Sequence, residues 1–75
     1  MTIPVREELW TIGVDPRLVR KIGNRAAADS LDAARERAKE LAAKFPKRGY
    51  NDEHDYAWGR EEGDKQNHRF VVGSE

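Results

Sequence analysis

The sequence predicts a two-layer α+β domain: a three- to four-stranded antiparallel sheet covered on one face by a single long helix, in the order β(β)αββ. Three observations predict it. A helical apolar stripe runs through "SLDAARERAKELAAKF", about residues 30–45. A two-residue alternation marks "LWTIGV" near the N-terminus, and "YAWGR" and "HRFVV" flank the turn-like "EEGDKQ". One amphipathic helix cannot bury its stripe alone, and a sheet with an apolar face is its natural cover.

In "LWTIGV", Trp10, Ile12 and Val14 alternate with Leu9, Thr11 and Gly13, the period of a half-buried strand. Residues 16–28 admit a strand, a short helix or a loop. Asp15, Pro16 and Gly23 stand where a short helix has its cap, first residue and end. Alternatively, Leu18, Arg20 and Ile22 share one side of a fourth strand, which completes a hairpin with "WTIGV" across Asp15-Pro16. The strand is the reading adopted.

The helix places Leu31, Ala34, Ala38, Leu41 and Phe45 on one face, at alternating spacings of three and four. Asp29 or Ser30 caps its start by accepting from the first free backbone N–H groups. Pro46 ends it, having no N–H and constraining the residue before it. Glu36 with Lys39 and Glu40 with Lys44 are spaced as ion pairs on a solvated face. The central alanines let the helix sit close to whatever it covers.

For the C-terminal hairpin, turn chemistry and hydrophobic pattern disagree. A two-residue Gly63-Asp64 turn suits the type II′ preference for glycine first, but puts Tyr56 and Trp58 on one face and Phe70 on the other. A three-residue Gly63-Asp64-Lys65 loop sets Trp58 opposite Phe70, Tyr56 opposite Val72 and Arg60 opposite His68. Burying the three rings together is worth several kcal/mol at about 25 cal/mol per Å². The better turn residue is worth about 1 kcal/mol or less. The pattern therefore predicts the second register, with Trp58 on Phe70 beneath Leu41 and Phe45.

Seventy-five residues suit one small domain, 1–75. At that size about 60% of the unfolded chain's surface is buried, so stability is expected to be marginal. There is no cysteine, hence neither a disulfide nor a thiolate zinc site, which favours a reducing cytoplasm. No segment has membrane-spanning length, and "MTIPVREELW" does not read as a signal peptide. Charged residues make up 37%, with 14 Lys+Arg against 14 Asp+Glu, a balance that disfavours an obligate DNA binder.

His54 and His68 have acids nearby, but the hairpin ladder sets them at its opposite ends, so no shared metal is expected. Ser30 and Ser74 sit at a cap and near the terminus, no glycine pattern resembles a phosphate loop, and the carboxylates read as exposed. No catalytic residue, cofactor or metal site is predicted, and the chain is read as non-enzymatic.

The expected role is an interaction or accessory domain, with self-association through an edge strand or the helix-free sheet face. In the chosen register that face carries Leu9, Thr11, Gly13, Ala57, Gly59, Arg69 and Val71, small enough for a second sheet to approach. The alternative is single-stranded RNA or DNA binding. Its contacts would be Arg17, Arg20, Lys21, Arg25, Lys47, Arg48 and Arg60, with Tyr56 and Trp58 stacking bases if the aromatic face points outward.

Overall fold

The computed structural model describes residues 2–74. Five strands and one helix follow one another as β1 (Ile3–Thr11), β2 (Leu18–Ala28), α1 (Leu31–Ala42), β3 (Lys47–Asn51), β4 (Tyr56–Arg60) and β5 (Gln66–Val72). The strands form one antiparallel sheet in the order β2-β1-β5-β4-β3. The α+β class and the helix-on-sheet layering agree with the sequence reading. The count of three to four strands does not: the order is ββαβββ, and β3 was not expected.

The interior strand β1 starts at Ile3, well before the expected "LWTIGV". Val5 is fully buried and anchors its first half. Glu7 and Glu8 are buried too, on opposite faces, which disguises the strand as a polar stretch. The strand ends at Thr11, so Ile12 and Val14 fall in an exposed loop instead of a buried alternation. In that loop the Thr11 hydroxyl accepts from the Arg17 N–H at 2.8 Å.

The hairpin reading of residues 16–28 agrees with β2, which runs antiparallel to β1. The register slips three times, leaving Val19, Ile22 and Arg25 as extra residues opposite no β1 partner. Each such bulge bends the strand and increases its twist. Only the far end of β2 reaches the helix, through Ala26 and Ala28.

Helix α1 starts at Ser30, whose hydroxyl accepts from the Ala33 N–H at 3.2 Å. It stops at Ala42, a turn earlier than the expected 45. Its buried stripe is Ala34, Ala38 and Ala42, while Leu31 is exposed and Leu41 packs at the margin. Of the expected surface pairs, Glu36–Lys39 forms at 3.6 Å, but Glu40 takes Arg37 at 3.1 Å in place of Lys44. Phe45 lies beyond the helix, where its N–H donates to the Ala42 carbonyl at 3.0 Å. Its ring stacks on His68 with centroids 4.9 Å apart.

The register between β4 and β5 overturns the expected one. Tyr56 pairs with Val71, Ala57 with Phe70, Trp58 with Arg69 and Gly59 with His68. This is the face assignment of the Gly63-Asp64 alternative. Around the turn, the Asp64 N–H donates to the Glu61 carbonyl at 3.2 Å, and Gly63 takes a positive φ of 82°. Trp58 therefore does not meet Phe70 or lie beneath the helix. The physical reason is space. An alanine-lined helix lies close to the sheet, so the strands present Ala57, Gly59 and a single large ring, Phe70, beneath it. A Cβ at Gly59 would stand 2.5 Å from Phe45 Cδ2, closer than any real contact.

The expected partner face is corrected in the same way. Leu9, Thr11, Ala57 and Gly59 share the helix-side parity with Phe70 and His68. Gly13 lies in the β1–β2 loop, and only Arg69 and Val71 face away from the helix.

Two polar clusters stand on the helix side, the first within the sheet and the second between sheet and helix. Glu7 of β1 binds Arg25 Nε of β2 at 3.0 Å and His68 Nδ1 of β5 at 2.8 Å. At the β3–β4 turn, Arg35 of the helix holds Asp55 through two hydrogen bonds of 2.8 and 3.0 Å, and the Tyr50 hydroxyl donates to it at 2.6 Å. Asp55 keeps a left-handed φ of 57°, uncommon for a residue with a side chain and held here by three hydrogen bonds.

Candidate functional site

The helix-free sheet face follows directly from this register. Across it lie Trp10 on β1, Tyr56 and Trp58 on β4, and Asn67, Arg69 and Val71 on β5. Successive strands stand about 4.8 Å apart, so these side chains form one continuous patch.

The rings and cations are interleaved. The Arg69 guanidinium sits 4.0 Å from the Trp10 ring centroid and 4.4 Å from that of Tyr56, between the two. Its Nε is buried without a hydrogen-bond partner. Arg60 lies 5.0 Å over Trp58 and donates to Asn67 at 3.3 Å. Trp58 in turn lies over Gly49, its partner on β3. Three indole atoms are each 2.7 Å from where a Cβ would be, so only glycine leaves room for the ring. Such guanidinium–ring contacts contribute about 0.5–1 kcal/mol each when exposed and more when desolvated.

Charge is segregated although the chain is neutral. By strand parity the helix-free face carries Arg6, Lys21, Lys47, Arg60 and Arg69 against one acid, Glu8. Glu8 is itself satisfied: it accepts from Arg6 at 2.9 Å and from the Trp10 indole at 3.0 Å. Lys47 bridges to Glu62 of the hairpin turn at 3.4 Å. Among the described residues, the remaining acids occupy the helix, the helix side of the sheet, and the loops at strand ends.

The basic residues singled out in the sequence do not form one cluster. Lys47 and Arg60 pair across β3 and β4 on the helix-free face. Arg48 turns the other way and donates to the Phe45 carbonyl at 2.9 Å. Arg17, Arg20, Lys21 and Arg25 follow the β1–β2 loop and the edge strand. Trp10, Arg6 and Asn67 were missed. The signal for Trp10 was its sharing a parity with Arg69 once the sheet order is known, which no single segment reveals.

The opposite side has a depression of about 640 Å³ beside α1, bounded by Arg35, Lys39, Tyr50 and Asp55. Hydrogen bonds from Arg35, then Tyr50, hold the Asp55 carboxyl below the usual carboxylate range. Burial, then the bond to Asp55, pushes the Tyr50 hydroxyl above the usual tyrosine value. Most of its charges are spent on one another: Arg35 also reaches Asp32 at 3.6 Å, and Lys39 bridges to Glu36 at 3.6 Å and stands 5.1 Å over the Tyr50 ring. This is the wiring of a clasp between helix and turn.

His54 and His68 have different surroundings: His54 sits in the exposed β3–β4 turn beside Glu53, and His68 is bound to Glu7. Among the described residues no group of three or more His, Cys, Asp or Glu is placed to hold a metal ion. No helix among them is long and apolar enough to cross a membrane. Comparison with protein-family models, with curated proteins and with solved structures finds no match to this chain.

Proposed function

We propose that this chain is a non-enzymatic, cytoplasmic binding domain whose helix-free sheet face takes single-stranded nucleic acid. The observation that carries the proposal is the shared placement of Trp10, Tyr56 and Trp58 with five cations, of which Arg6 is paired with Glu8 and Lys47 with Glu62. Bases stack on aromatic rings and on guanidinium planes, and phosphates take the surrounding cations. The lack of cysteine supports the reducing compartment. Self-association through this face loses the small-residue surface that suggested it, because Ala57 and Gly59 lie under the helix.

Both tryptophans of the chain are on this face, so their fluorescence reports directly on stacking. Titration with a twelve-nucleotide oligothymidine is expected to quench it in a salt-dependent way, while polyphosphate of matched charge does not. Trp58→Ala is expected to weaken binding about 5- to 150-fold, the range for loss of one stacked base. Equal response to polyphosphate, or no response to the oligonucleotide, refutes the proposal.

A further inference from the structure

Four of the five cations on the helix-free face already have partners. Arg6 donates to Glu8 at 2.9 Å and to the Gly73 carbonyl at 2.7 Å. Lys47 bridges to Glu62 at 3.4 Å, Arg60 donates to Asn67 at 3.3 Å, and Lys21 is engaged as well. Arg69 is the exception: among the described residues no carboxylate, carbonyl or amide accepts from its guanidinium. It meets only rings, Trp10 at 4.0 Å and Tyr56 at 4.4 Å. Its Nε is buried there, which leaves the two terminal nitrogens as the donors open to solvent. A guanidinium partly stripped of water and given no acceptor is costly, and ring contacts offset only part of that cost.

The walls of this slot are themselves fixed. The Trp10 indole N–H donates to Glu8 Oε1 at 3.0 Å, and the Tyr56 hydroxyl accepts from Asn51 at 3.4 Å. Glu8 stands directly across the β1–β5 ladder from Arg69, but its two oxygens go to Trp10 and Arg6. An acceptor for Arg69 therefore has to meet three conditions. With Nε closed, it must offer two adjacent lone pairs to the end of the fork. With a ring close to stacking distance on either side, it must be flat and continue the guanidinium plane. With a carboxylate across the ladder, it must be uncharged. A phosphate fails the last two. Guanine meets all three: O6 and N7 are adjacent acceptors on a neutral edge, and its bicyclic plane stacks well. Adenine and thymine present no such pair in the same place. Cytosine has one, in O2 and N3, on a smaller ring.

We infer that Arg69 is the specificity-determining residue of the face and reads the O6/N7 edge of a guanine stacked beside Trp10 and Tyr56. The inference rests on the single-stranded nucleic-acid reading above and adds a base preference to it.

The test uses tryptophan fluorescence and four twelve-nucleotide strands: oligothymidine, and the same strand with one central guanine, 7-deazaguanine or cytosine. The guanine strand is expected to bind the wild-type chain about 5- to 150-fold more tightly than oligothymidine, the discrimination that a bidentate pair gives. 7-Deazaguanine, which lacks only the N7 acceptor, is expected to lose most of that gain. The guanine-to-thymine ratio should not change with salt, because a contact to a neutral edge releases no counterion. Arg69→Lys keeps the charge and the stem but not the fork, so it should still bind oligothymidine and lose the preference. The 7-deazaguanine comparison is made on the wild type, so it decides even if the variant does not fold. Equal binding of all four strands overturns the inference and leaves the face reading standing. So does a preference for cytosine over guanine, a gain that disappears in salt, or a preference that folded Arg69→Lys retains. If the wild type binds none of the strands, the face reading fails and this one with it.

Discussion

Gly59→Ala tests the packing that turned the aromatics outward. Two terms oppose each other. Gly59 has no positive φ, so alanine is sterically allowed by its own backbone and should gain about 0.4–1 kcal/mol by restricting the unfolded chain. Against this, the new Cβ would stand 2.5 Å from Phe45 Cδ2, 2.9 Å from Cγ and 3.0 Å from Cβ. Comfortable carbon contacts lie at about 3.5–4.0 Å, so the Phe45 ring must retreat by about 1 Å or more. It would then leave its stack on His68 at 4.9 Å and its contact with Phe70 at 6.3 Å. Overpacking of this kind costs about 1–3 kcal/mol, which outweighs the entropic gain. A net loss of about 1–2 kcal/mol should lower Tm by about 4–16 °C in a domain of this size. Thermal melts of wild type, Gly59→Ala, Phe45→Leu and the double variant measure it. The smaller leucine should relieve the clash, so the double variant should lose at least about 0.5 kcal/mol less than the two single losses added. An unchanged or raised Tm for Gly59→Ala, or strict additivity, would mean that Phe45 does not rest on Gly59.

Two further variants probe the polar clusters. Because Arg35 and Tyr50 hold Asp55 below its ordinary range, Asp55 contributes stability above the unfolded carboxylate pKa of about 3.9, and loses it as pH falls through the lower folded value. Asp55→Asn should therefore melt earlier than wild type at neutral pH and converge with it in acid; parallel curves of Tm against pH would sink this account. Glu7→Gln should cost about 1–3 kcal/mol in urea denaturation, since it removes the charge from bonds to Arg25 and His68 at a buried site. Arg25→Gln should cost less, because that side chain is half exposed and resolvates; the reverse order would place the stabilising charge elsewhere.

The sequence made some elements legible and hid others for identifiable reasons. The helix was readable because Ser30 supplies a cap and Ala34 and Ala38 keep the inner face small. Strands β4 and β5 were readable from composition, and β2 from its turn residues and its return onto β1. The first half of β1 was not, because Glu7 and Glu8 read as solvated and are buried by partners far along the chain, His68 among them. Strand β3, "KRGYN", has two cations and a glycine, and it is a strand because β4 pairs with it. The bulges at Val19, Ile22 and Arg25 leave no periodic mark at all. The candidate face was partly legible. Tyr56, Trp58, Arg60 and Arg69 followed from the hairpin once one register was chosen, and the choice itself depended on the helix.

That dependence decides how much the outward aromatics mean. The sequence weighed hydrophobic area against turn chemistry and let area win. The decisive quantity was a distance. A helix whose buried stripe is Ala34, Ala38 and Ala42 approaches the sheet so closely that Ala57 and Gly59 are what fits beneath it, and Trp58 cannot share that layer. Packing alone therefore accounts for Tyr56 and Trp58 being half-buried on the far face, and that placement is no sign of a ligand by itself. Packing does not account for the charge. Nothing in the core requires that a neutral chain gather Arg6, Lys21, Lys47, Arg60 and Arg69 on one face with a single acid. Nor does it require that the guanidinium groups of Arg60 and Arg69 stand against the rings. If the face were only a displaced remnant of the core, replacing Arg60 would change neither the salt dependence nor the strength of oligonucleotide binding. The functional reading therefore rests on the cations more than on the rings.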